Sequence, residues 1–189
     1  MVAVRVGRGR QFLGHLRFYE KEDAFFFVSD PYAPFGQQVP FSSGVLSVGY
    51  LEIRVNVDTG QAFKVEGFHP RTRWEMADLE SPDAAPGSAF FVVENPGFSV
   101  FAAVRVVGFD DMWTTFFDPR SEWIRIVQPD ALPDDEQVLI ATGTVIGVRK
   151  GLFNSIWLQP QPFARDPAES PLWGRGTARS RAKETPTPE

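Results

Sequence analysis

Residues 45–67 constrain this chain more than any other stretch. From Leu51 the alternation is strict: Leu51, Ile53, Val55 and Val57 point one way, and Glu52, Arg54, Asn56 and Asp58 the other. A period of two sustained this long describes a strand with one face on a core and one in water. Asp58-Thr59-Gly60 follows as a turn, with glycine where φ must be positive. Phe63 and Val65 then alternate with Lys64 and Glu66 on the returning strand. The expected element is a β-hairpin spanning 45–67, and the expected protein is built from β-strands.

The same character extends along the chain. Residues 2–6 and 11–19 read as strands around a Gly7-Arg8-Gly9-Arg10 turn, and 24–28, a continuous apolar run, as a strand covered on both faces. Ser29 to Ser43, with Pro31, Pro34 and Pro40, is too proline-rich for a central strand. Residues 89–94 and 98–109, separated by Asn95-Pro96-Gly97, predict a second hairpin. Further strands are expected at 123–127, 137–149 (with Gly143 and Gly147 as bulge candidates) and 153–158. Two stretches suggest short helices: 74–85, before a Pro86-Gly87 break, and Met112 to Phe117, where apolar residues fall at helical spacing. The expected fold is mainly β, an antiparallel β-sandwich or partly closed β-barrel with one or two short helices, or an α+β variant. With 189 residues, of which 14% are aromatic, including 18 Phe and 5 Trp, one domain over 1–159 has material for a substantial core. Residues 160–189, dominated by Pro, Arg, Ser, Thr and Glu, are expected to be a disordered or loosely attached tail.

Charge and cysteine content remove several function classes. A net charge of −5 is unlike the basic stripe of a general nucleic-acid binder or of a protein held on anionic lipid. It is compatible with a basic protein partner. The absence of cysteine rules out disulfides, thiolate metal sites and cysteine nucleophiles. The first ten residues hold no apolar stretch of roughly 7–15 residues, so no signal peptide is expected. No apolar run approaches the ~18 residues of a membrane span. The expected location is the cytoplasm. Of 19 basic residues 15 are Arg, and with abundant Ala, Gly and Pro this suits a GC-rich bacterial genome.

Motifs for chemistry are few. Asp58-Thr59-Gly60 resembles the active-site triplet of aspartic proteases, in which two such aspartates share a proton and activate water. Val145-Ile146-Gly147 is similar to the apolar-apolar-glycine segment behind the retroviral enzyme's catalytic loop. With a single Asp-Thr-Gly, the resemblance implies a homodimeric hydrolase. The polar flanks Asn56 and Gln61 fit a plain hairpin turn instead. His15 and His69, the only histidines, are far apart, and no metal or cofactor is expected. Neither a Gly-x-Ser-x-Gly elbow nor a Walker lysine occurs. Asp110-Asp111 and Asp134-Asp135-Glu136 read as solvated loops.

The expected function is therefore non-enzymatic: a protein-interaction module, immunity-like or antitoxin-like, masking a basic partner. Its expected binding residues are His69, Arg71, Arg73 and Trp74, with Trp113, because Arg and Trp are the residues that interface hot spots favour. The alternatives are a small-ligand-binding barrel with an aromatic-lined apolar cavity, and the dimeric hydrolase built on Asp58.

Overall fold

The computed structural model describes residues 2–40, 43–92, 103–107, 113–128 and 131–161, the backbone alone for 103–107. They form fourteen strands in two packed sheets. The larger sheet runs in the order β1 (Ala3–Arg8), β8 (Ala85–Val92), β12 (Glu136–Ala141), β13 (Thr144–Arg149), β14 (Leu152–Leu158), β11 (Ile124–Val127), β10 (Thr114–Phe117) and β7 (Trp74–Met76). The smaller sheet runs β2 (Gly14–Tyr19), β3 (Ala24–Ser29), β6 (Ala62–Phe68), β5 (Leu51–Asn56), β4 (Ser43–Val48) and β9 (Ala103–Val107). β14 serves two partners along one edge. Its start meets β1 at Leu152↔Ala3, which closes β1, β8, β12, β13 and β14 into a ring. From Ser155 onward it pairs with β11 instead, so β11, β10 and β7 splay away from that ring. The architecture is a β-sandwich with one partly ring-like sheet, as the sequence patterning leads one to expect.

The long alternating stretch yields three strands. β5 and β6 form the expected hairpin around Asp58-Thr59-Gly60, and Leu51, Ile53, Val55 and Val65 are fully buried on its inner face. Upstream of it, Gly49, at φ 62°, turns the chain so that β4 pairs back on β5. Across the interface lie Phe91, Ile124, Ile126, Val138, Ile140 and Phe153, within one continuous core cluster. Each large side chain so enclosed stabilises the fold by about 1.5–3 kcal/mol relative to exposure.

Several expectations change. The run 24–28 is covered on one face only; Phe26 and Val28 lie on the outer side, 44% and 45% exposed. Residues 74–85 contain no helix: β7 occupies 74–76, and the segment 77–84 has no regular secondary structure and is held by Leu79 and Ala84 against a small cluster of Trp123, Val145 and Trp157. Among the described residues the one helical feature is the 3-10 turn Arg71–Arg73. Met112 lies outside the described residues, and Thr114 to Phe117 form β10, because β11 and β7 flank them and saturate their backbone groups. β1 runs through Gly7 and Arg8, and β8 through Pro86 and Gly87, so neither stretch is a break. β8 and β9 belong to different sheets and make no hairpin; the turn expected between them lies outside the described residues. Residues 137–149 are a hairpin rather than one strand: Gly143, at φ 70°, turns β12 into β13, and Gly147 marks a register shift. Three pairings, β4–β9, β7–β10 and β8–β12, are parallel. Of the expected tail, residues 162–189 lie outside the described residues.

Candidate functional site: an acidic groove

His69, Arg71, Arg73 and Trp74 come together where β6 leaves the smaller sheet and β7 begins. Trp74 turns inward and stacks on Phe25 at 6.1 Å and 11°, with Phe18 and Phe117 also against it. Its indole Nε1 is buried without an acceptor among the described residues. The 3-10 turn places Arg71 on the surface, paired with Glu20 at 3.4 Å and Asp23 at 3.5 Å. Arg73 is exposed. Trp113 is partly buried and packs on Phe153, 5.6 Å away, rather than beside Trp74. Both tryptophans therefore spend their faces on the core.

His69 sits among these rings, its Nε2 2.8 Å from Thr115 Oγ1. Burial, reinforced by the Arg73 charge and partly opposed by Asp23, pulls its pKa from 6.5 to about 4. Because the folded value is depressed, the unfolded chain takes up the proton first. Stability is then complete above pH ~6.5 and declines as the pH drops toward ~4, by about 1.4 kcal/mol per pH unit and about 3 kcal/mol in all. Thermal melts between pH 7 and 4.5 should show this decline, and His69→Gln should flatten it. An unchanged slope in the variant would refute the assignment.

The Asp-Thr-Gly triplet is an exposed turn. Asn56 Oδ1 organises it, accepting from the backbone N–H of Asp58 (2.9 Å) and Thr59 (3.0 Å). Asp58 points to solvent. Val145-Ile146-Gly147 lies inside β13, away from any such loop role.

A groove of about 520 Å³ opens on the outer side of the larger sheet. Its floor follows from strand register. Arg125 on β11 lies directly opposite Trp157 on β14, which puts both on one face, and the guanidinium stacks 4.9 Å above the indole. Arg125 Nε is buried there with no hydrogen-bond partner among the described residues. One wall is the loop before β12, anchored by Asp134. Its carboxylate accepts from Asn154 Nδ2 (2.6 Å), Ser155 Oγ (2.8 Å), Gln137 Nε2 (3.0 Å) and Trp157 Nε1 (3.2 Å). Gly147 makes that approach possible, since a Cβ there would collide with Ser155 Oγ and the Asp134 carboxylate.

The opposite wall is the irregular segment between β7 and β8. Leu79 is pinned on the Trp123–Trp157 pair, and its N–H donates to Asp118 Oδ2 at 3.3 Å. The Arg120 N–H and the Ser121 hydroxyl also donate to Asp118, which holds that carboxyl below its usual range. Among the described residues six carboxylates line the two walls (Asp78, Glu80, Asp83, Asp134, Asp135 and Glu136) against one cation, Arg125. Asp78 meets Arg120 at 3.6 Å and Asp135 meets Arg149 at 3.4 Å. Glu80, Asp83 and Glu136 make no ion pair with other described residues. Nor do three acidic or histidine side chains converge as metal ligands among the described residues. The arrangement suits several cations spread along a segment better than one metal ion.

The sequence reading takes the 134–136 acids as a solvated loop and the 78–83 acids as part of a helix. The groove exists only because β7, β11 and β14 bring those stretches together. A second, apolar depression of about 330 Å³ lies on the outside of β2 and β3, lined by Tyr19, Glu22, Phe26, Phe27 and Val28. No family model matches the chain, and neither does any curated protein.

Proposed function

We propose that this protein is a non-enzymatic interaction module that takes a basic segment of another protein into the groove over Trp157. An immunity-like or antitoxin-like protein, masking a basic partner in a bacterial cytoplasm, is the form of that role which its charge suits. The observation that supports it is the pairing of six carboxylates with an Arg–Trp floor in one concave surface. Clustered like charges raise the local concentration of an oppositely charged partner and speed its encounter, and salt weakens the effect. The small-ligand alternative has one observation in its favour, the apolar depression at Phe26 and Val28. The hydrolase alternative lacks a comparable one, since Asp58 is exposed at a turn.

Calorimetric titration of hexa-arginine into the full chain tests the reading. Binding is expected at low salt, weakening as salt is raised. Asp78, Glu80 and Asp83 are exposed, so reversing them (D78K/E80K/D83K) leaves the core intact. The triple variant should bind at least about tenfold more weakly, a change of about 1.4 kcal/mol. Equal affinity in the variant would rule the groove out.

A further inference from the structure

We propose that, in the free protein, the groove is occupied by the chain's own C-terminal segment, residues 170–183. This rests on the groove being a site for basic peptides and adds how that site is regulated. The segment carries Arg175, Arg179, Arg181 and Lys183 with no acidic residue among them, and Leu172-Trp173 just ahead. The whole chain has a net charge of −5, so without these four cations the remainder carries −9. Residues 175–183 thus gather four of the chain's 19 basic residues with no acid between them, and the groove concentrates six of its carboxylates. Arginines offer the charge that Glu80, Asp83 and Glu136 lack, and an indole can extend the Trp157–Arg125 stack.

The connection is short enough. The last described residue, Gln161, is held by its N–H on Leu16 O at 2.9 Å and by its side chain on His15 Nδ1 at 2.7 Å. It follows Trp157, the groove floor, by four positions, a span of at most about 14 Å. The fourteen residues from there to Arg175 have an end-to-end distance of roughly 20 Å if they behave as a flexible chain. Tethering at that length corresponds to an effective concentration of order mM. Even a weak intrinsic affinity then fills the groove, and a partner must displace the segment, losing apparent affinity in proportion.

Two measurements on the full chain test this. In the first, hexa-arginine is titrated into the wild-type chain and into R175A/R179A/R181A/K183A. The expected result is binding several-fold tighter to the variant, because its groove is vacant. Equal affinity for both overturns the self-occupancy and leaves the groove as a partner site; no binding to either chain overturns both. In the second, a nitroxide is attached at Ser180→Cys, a unique label in a cysteine-free protein. The Trp157 indole N–H signal should broaden at low salt and recover at about 0.5 M salt or in D78K/E80K/D83K. A signal unaffected at low salt overturns the proposal. So does broadening that persists at full strength when unlabelled ¹⁵N chain is mixed with spin-labelled chain, since that places the segment on a second copy.

Discussion

Gly60→Ala is expected to destabilise the protein by about 3–4 kcal/mol, read as a lowered urea midpoint at unchanged slope. Gly60 sits at φ 72°, a left-handed conformation that costs an L-residue about 1–2 kcal/mol. The larger part of the effect is tertiary. A Cβ at this position would strike the carbonyl of Phe91 on β8. Relieving that contact pulls the turn away from the larger sheet. It breaks the 2.9 Å bond from Phe91 N–H to Gly60 O and strains the 2.9 Å bond from Gln61 Nε2 to Ser88 Oγ. These two bonds tie the β5–β6 turn of one sheet to a strand of the other. Asp58→Asn, two residues earlier and exposed, should shift stability by no more than about 0.5 kcal/mol. Comparable losses in the two variants would mean that the triplet matters for its carboxylate rather than for its glycine.

Asp134→Ala is expected to cost about 3–4 kcal/mol and to loosen one wall of the groove. Its carboxylate satisfies the Ser155 hydroxyl, which is fully buried, together with the Asn154 amide and the Trp157 indole. Removing it leaves the Ser155 hydroxyl without its acceptor, at about 1–3 kcal/mol, and takes a charged acceptor from Asn154 and Trp157, which keep Leu132 O (3.0 Å) and Ser155 Oγ (3.1 Å) respectively. Asp134→Asn keeps one acceptor oxygen but faces the same donors with an NH₂, so it should recover only part of the loss. Urea denaturation measures the stability, and the Trp157 indole resonance, left with Ser155 Oγ as acceptor, should move in step. The groove should also lose more affinity for hexa-arginine than one missing charge explains, because Asp135 and Glu136 stand on the loosened loop. A loss below about 1 kcal/mol would show that the loop is held by something other than this carboxylate.

Much of the fold is legible in side-chain alternation. Leu51, Ile53 and Val55 announce β5 and its buried face because a strand in a sandwich has one dry side, and a period of two is what that requires. Gly60 announces a turn because few other residues tolerate a positive φ, whereas Gly143, expected as a bulge inside one strand, turns β12 into β13. The signal fails where neighbours rather than propensity decide. Trp113, Phe116 and Phe117 have helical spacing, yet β11 and β7 on either side claim the backbone. The run at 24–28 looks doubly covered because Phe26 and Val28 are apolar, and hydrophobicity does not say which face another layer will meet.

The candidate site was less legible still. Arg and Trp at 71–74 point to an interface, but whether an indole faces water or the core depends on Phe18 and Phe25, far upstream. From local patterning alone come the β class, the β5–β6 hairpin, the acidic balance and the absence of thiol chemistry, since each depends only on neighbouring residues or on counting. The ring closure through Leu152 and Ala3, the inward turn of Trp74 and the meeting of two distant acidic stretches over Trp157 were settled by long-range packing. Such contacts form where sheets find a common core, and no short stretch of the chain encodes them.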